Sequence, residues 1–129
     1  MAGAETAIDV VIADDDEPFL ESLQTLIEQQ GLRVVATATD GLEAIELVDE
    51  LDPHAAVLDL HMPLLDGVSA VARLRRDHPS LCLIALTGDD APELHEAVRE
   101  SGADAVLLKD QLVDSLIERL TAGRTGPEG

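Results

Sequence analysis

The sequence predicts a single α/β domain, a doubly wound (βα)5 fold around a five-stranded parallel sheet. Five short apolar runs recur at near-even spacing: Ile8–Ala13, Leu32–Ala38, Ala55–Leu60, Leu81–Thr87 and Ala105–Leu108. Each is continuous rather than alternating, as expected of strands buried on both faces. Amphipathic segments at helical spacing lie between them. Strand–helix alternation repeated five times implies right-handed crossovers and helices on both faces of one sheet. At 129 residues, 46% of them apolar, the chain suffices for one domain with one core.

The first run ends in Asp14-Asp15-Asp16, and the helix after it presents Phe19, Leu20, Leu23, Leu26 and Ile27, with Pro18 in its first turn. Gly31 stands where a C-terminal cap belongs, and the second run ends in Thr37–Thr39. Asp40-x-x-Glu43 forms a capping box for a second helix whose inward residues are Leu42, Ile45, Val48 and Leu51. Pro53 precedes the third run, which leads into Asp59. Asp66-Gly67 reads as a turn and helix start, followed by Val68, Val71, Ala72 and Leu74. Pro79 precedes the fourth run, which ends in Thr87. A weaker helix carries Leu94, Ala97 and Val98, with Pro92 in its first turn and Gly102 at its end. The fifth run leads into Lys109, and a last helix carries Leu112, Val113, Leu116, Ile117 and Leu120. The domain is expected over 8–121, with 1–7 an N-terminal extension and 122–129 a flexible tail or truncated linker.

Twenty-seven acidic residues against eight basic ones give a formal charge of −19. Such a surface repels nucleic-acid phosphates and anionic membranes, so this domain alone is expected to bind neither. Most of these acids read as a solvated surface. No basic segment followed by an apolar core opens the chain, and no apolar run approaches the length of a membrane span, so a cytoplasmic location is expected. The lone Cys82 lies in an apolar run and reads as a buried, inert thiol. Phe19 is the only aromatic residue, so the core must be aliphatic.

Ligands of such sheets bind beyond the C-terminal strand ends, where strand order reverses. Asp14, Asp15, Asp59, Thr87 and Lys109, the only lysine, all stand there. Converging carboxylates repel by about 4 kcal/mol per pair at ~4 Å and an effective dielectric of ~20, so they need a cation or a raised pKa. Hard carboxylate oxygens favour Mg²⁺, which readily shares its shell with phosphate. An ammonium and a hydroxyl beside them complete a phosphoryl-transfer site with a carboxylate nucleophile. His54, His61, His78 and His95 show no metal-ligand spacing.

Four motifs in order, Ile12-Ala-Asp14-Asp15-Asp16-Glu, Val57-Leu-Asp59-Leu-His-Met-Pro63-Leu-Leu-Asp66-Gly67, Ala85-Leu-Thr87-Gly88 and Gly102-Ala-Asp-Ala-Val-Leu-Leu-Lys109-Asp110, resemble a response-regulator receiver domain over about residues 8–120. The resemblance implies a flavodoxin-like domain with strand order 2-1-3-4-5. It implies that Asp59 accepts a phosphoryl group from a histidine kinase or phosphotransfer protein. Asp15 would ligate Mg²⁺ (or Mn²⁺) directly, Asp14 mainly through water, and Asp59 and the backbone carbonyl of His61 would complete the protein's share. Thr87 and Lys109 would bind the phosphoryl oxygens. Such a domain promotes its own phosphorylation and dephosphorylation without being a turnover enzyme, and it switches the surface around its fourth helix and fifth strand toward an output domain or downstream protein. Asp16 has no comparable role and reads as a helix-start residue. Leu-Leu-Lys-Asp resembles receivers with LuxR-type helix-turn-helix outputs.

Two positions depart from the family. Val106 replaces the usual aromatic residue three before the lysine, and Asp110 replaces the usual proline after it. Val106 supports an alternative, a phosphorylation-independent interaction module. A metal-dependent phosphohydrolase would want an Asp where His61 stands, and a flavodoxin-like nucleotide binder would want a Ser/Thr/Gly-rich loop where Asp14–Asp16 stand. The His61 side chain is expected to border the site, and His61 and Asp89 are the two candidates for tuning water access to the phosphoryl group. Arg73, Arg75 and Arg76 read as a solvated helix end. The sequence does not select an oligomeric state: the first and last helices or the face of the fourth are alternative surfaces for a homodimer.

Overall fold

Apolar runs rich in Val, Ile, Leu and Ala become central strands when both their faces can be covered. The computed structural model, described over residues 8–64, 66–88, 91–109 and 116–120, contains five such strands. In chain order the elements are β1 (Asp9–Ala13), α1 (Glu17–Gln29), β2 (Arg33–Ala38), α2 (Gly41–Leu51), β3 (Ala55–Asp59), α3 (Gly67–Asp77), β4 (Cys82–Thr87), α4 (Pro92–Ser101) and β5 (Ala105–Leu108). Residues 116–120 are helical. All pairings are parallel, in the order β2-β1-β3-β4-β5. This is the expected doubly wound order, with its reversal between β1 and β3.

Successive strand residues point to opposite faces, so each run feeds two cores. Val11, Ala13, Ala56, Leu58, Leu83 and Ala85 face α2 and α3, where Ala44, Val48, Val71 and Leu74 cover them. Val10, Ile12, Val57, Ile84 and Leu86 face the other way, against Leu20, Leu23 and Ile27 of α1 and against Leu116 and Leu120. Every residue of β3 is buried. β2 differs: its residues are mostly half-buried or exposed, because it is an edge strand with a neighbour on one side only. The β1–β2 register shifts between Val10 and Val11.

Side-chain caps start three helices. Asp16, Asp40 and Asp66 accept hydrogen bonds from the backbone N–H groups of Phe19, Glu43 and Ser69. Glu43 returns toward the start of α2 but accepts from the N–H of Thr39, one residue before the cap. Gly31 and Gly102 both adopt positive φ, +87° and +130°.

The inward face of α2 is a correction. Gly41, Ala44, Ile45 and Val48 are the buried residues, whereas Leu42 and Leu51 are exposed. Small residues at 41 and 44 let the helix lie close to the sheet, and that rotates Leu42 and Leu51 outward. On α3 the buried small residue is Ala70 rather than Ala72.

Arg75 is also not a solvated helix end. Its guanidinium donates to the carbonyls of Gly102, Pro79 and Leu81 and to the carboxylate of Asp104, at 2.8–2.9 Å. Asp104 accepts in turn from the N–H of Leu83. One side chain thus ties the end of α3 to β4 and to the turn before β5. Cys82 is half-buried, and burial pushes its thiol pKa up, which keeps it unreactive at neutral pH.

Candidate functional site

β1 and β3 are neighbours and end side by side, so the residues that follow them converge. Asp14 directly follows β1, and its backbone N–H donates to Ala38 O of β2. Its side chain is fully buried. Oδ1 accepts from the N–H of Asp16 at 2.9 Å, which sets the turn into α1. Asp59 closes β3, is 2% exposed, and accepts from the N–H of His61 at 3.2 Å. Asp15 is exposed. Carboxylate oxygens of Asp14, Asp15 and Asp59 lie within 4.8 Å of one another.

Lys109 enters from β5. Its Nζ lies 2.7 Å from Asp14 Oδ2 and 3.3 Å from Asp59 Oδ2. The Asp14–Lys109 contact is an ion pair, and among the described residues Asp14 Oδ2 accepts no other hydrogen bond. Thr87 closes β4, is fully buried, and places Oγ1 3.0 Å from Nε2 of His61. The sheet therefore gathers five of the residues singled out in the sequence, and the His61 ring joins them through Thr87. Asp89 lies outside the described residues, as do Asp110, Leu112 and Val113.

Electrostatics follow from burial. Loss of water raises the Asp14 pKa, and the charge of Asp59 adds to the rise; Lys109 and the Asp16 N–H offset it only in part. For Lys109, burial pulls the pKa down, but the hydrogen bond and charge of Asp14 and the charge of Asp59 outweigh it, and the net shift is upward. Three carboxylates face one ammonium, so the cluster keeps a negative excess. That excess and the hard oxygen set, which one ammonium does not neutralise, fit a divalent cation.

A family model described as the response regulator receiver domain matches residues 10–121. The chain belongs to this family. Among curated relatives, the nitrate/nitrite response regulator protein NarP of Escherichia coli (strain K12) is 38% identical over 122 residues, 94% of this chain and 57% of NarP. The chain spans about half the length of the curated relatives it matches. Among solved structures, the signal receiver domain of NarL from Mycobacterium tuberculosis superposes with a TM-score of 0.85 at 27% identity, covering 93% of this chain and 98% of that one. The isolated receiver domain of RcsB from Salmonella enterica serovar Typhimurium, solved with the phosphomimetic BeF3−, gives 0.83 at 28% identity, covering 94% and 91%.

Two features of this receiver's site were not legible in its sequence. Phe19 places its ring centroid 4.7 Å from Lys109 Nζ. No spacing rule brings the first turn of α1 to the end of β5. The His61–Thr87 contact was foreseen only as a histidine near the site. Val106, at the usual aromatic position, is half-buried and packs into the core on the α2–α3 side. Among the described residues no helix is long and apolar enough to cross a membrane.

Proposed function

We propose that this receiver is a phosphorylation-operated switch in which Asp59 is the phosphoacceptor. The observation that carries the reading is the convergence of Asp14, Asp15 and Asp59 around the single lysine, whose ammonium pairs with the buried Asp14 oxygen.

Asp59 lies at a strand end, and the His61 N–H steadies its carboxylate through Oδ1. An oxygen of Asp59 attacks the phosphorus of a phosphohistidine on a histidine kinase or phosphotransfer protein. The phosphorus–nitrogen bond breaks, and its electron pair returns to the donor imidazole. Mg²⁺, held by Asp15, Asp59, the backbone carbonyl of His61 and, through water, Asp14, would supply positive charge to the phosphoryl oxygens. Lys109, already drawn toward Asp59, contributes the second positive charge, and Thr87 offers a hydroxyl donor. The added charge and acceptor oxygens then bias the α4–β5 surface toward an output domain or downstream protein. In its relatives the remaining half of the chain lies beyond the matched region, and a DNA-binding output of LuxR type is the partner this reading favours. The setting is cytoplasmic, and the domain is a switch rather than a turnover enzyme.

Beryllofluoride with Mg²⁺ tests this. Amide shifts should cluster at Asp15, Asp59, Thr87 and Lys109 and spread over α4 and β5. A spectrum unchanged by the pair would instead favour the phosphorylation-independent interaction module that Val106 allows.

A further inference from the structure

The chain contains one aromatic residue and one lysine, and the fold brings them together. Phe19 lies in the first turn of α1, where its backbone N–H donates to the capping carboxylate of Asp16. Lys109 directly follows β5. Their separation, 4.7 Å from Nζ to ring centroid, is that of a cation–π contact.

We propose that Phe19 is a positioning residue for Lys109: its ring holds the ammonium over Asp14 and Asp59 while leaving every N–H donor free for oxygen. The consequence for phosphoryl transfer rests on Asp59 being the phosphoacceptor; the placement of the ammonium does not.

Lysine is a flexible chain ending in a compact charge with three donors. The ammonium touches both carboxylates, Asp14 Oδ2 at 2.7 Å and Asp59 Oδ2 at 3.3 Å, and the ring lies against it as a third contact. An aromatic face attracts the charge through its quadrupole and shields that side from water. It takes up no carboxylate and adds no negative charge to a cluster already rich in it. Phe19 is itself half-buried and packs against the α1-side core, so the ring is anchored. A lysine held this way can exchange Asp14 for another oxygen at Asp59 without losing its seat on the ring. A leucine at 19 would cover the same space but lack the attraction.

One phenyl ring and one lysine make the contact assignable once the four histidine imidazoles are identified. Wild type should show an NOE between the Phe19 ring and the Lys109 ε-methylene, with a ring-current shift that Phe19→Leu removes and Phe19→Tyr keeps. Acylation of Lys109 by acetic anhydride, read by peptide mass against the N-terminal amine, should quicken about three- to tenfold in Phe19→Leu and stay at the wild-type rate in Phe19→Tyr. Affinity for beryllofluoride with Mg²⁺ should fall severalfold in Phe19→Leu, but not when Lys109→Ala is already present. A missing NOE, equal acylation of wild type and Phe19→Leu, or the same loss of affinity in both lysine backgrounds overturns the proposal. A chain that keeps the NOE and the acylation protection yet takes up no beryllofluoride would overturn the phosphoacceptor reading and leave the Lys109 placement standing.

Discussion

Asp14 shows how one buried carboxylate couples folding to the site. Its pKa is raised by burial first and by Asp59 next. A carboxylate of raised folded pKa favours the folded state fully only at pH below the unfolded value of 3.8, and that contribution is lost as pH rises through the folded value. At neutral pH the ionised Asp14 therefore destabilises the cation-free chain. Asp14→Asn should raise its unfolding free energy at neutral pH in chelator. The gain should shrink as pH falls below the folded pKa, which denaturant melts at several pH values would record. The same variant should lose most of its response to Mg²⁺. The identities of Asp14, Asp15, Asp59, Thr87 and Lys109 were legible in the sequence because strand ends are fixed by where apolar runs stop. The ring contact of Phe19 and the bond between His61 and Thr87 were not, because they join elements far apart in the chain.

At the scale of the elements, strand identity was readable from continuous apolar runs, and helix starts from Asp16, Asp40 and Asp66. Helix rotation was less so. On α2, Leu42 and Ile45 both fit a helical period, and only packing against the sheet selects Ala44, Ile45 and Val48. Val48→Ala should thus cost about 1–2.5 kcal/mol, while Leu42→Gln should change stability by less than ~0.5 kcal/mol. Equal costs at both positions in urea melts would contradict the observed rotation. The role of Arg75 is hidden from the sequence for a related reason: apart from Asp104, its partners are backbone carbonyls, which carry no sequence signal. Arg75→Ala should cost about 2–4 kcal/mol, because it strips donors from the carbonyls of Gly102, Pro79 and Leu81 and leaves Asp104 with the Leu83 N–H but no ion-pair partner. Arg75→Lys should recover little, since one ammonium cannot span four acceptors. Gly102→Ala should also destabilise: φ is +130°, and a Cβ there would fall 2.6 Å from Arg75 Cβ.

Over the whole molecule, the sheet order puts β1 beside the central strand β3, and that single topological fact gathers the acidic cluster. The chain carries its charge of −19 with no aliphatic shortage to weaken the core. Self-repulsion should make stability rise with salt, since at ~0.1 M charges more than ~10 Å apart are largely screened from one another. Millimolar Mg²⁺ should add a further increase beyond ionic strength alone, lost in Asp15→Asn and Asp59→Asn, as thermal melts at matched ionic strength would show.

The phosphoacceptor role of Asp59 is tested most directly by intact mass after incubation with acetyl phosphate and Mg²⁺. The wild type should gain the mass of one phosphoryl group, the gain should vanish in chelator, and Asp59→Ala should gain nothing. An unmodified wild type, or a modified Asp59→Ala, would contradict the account.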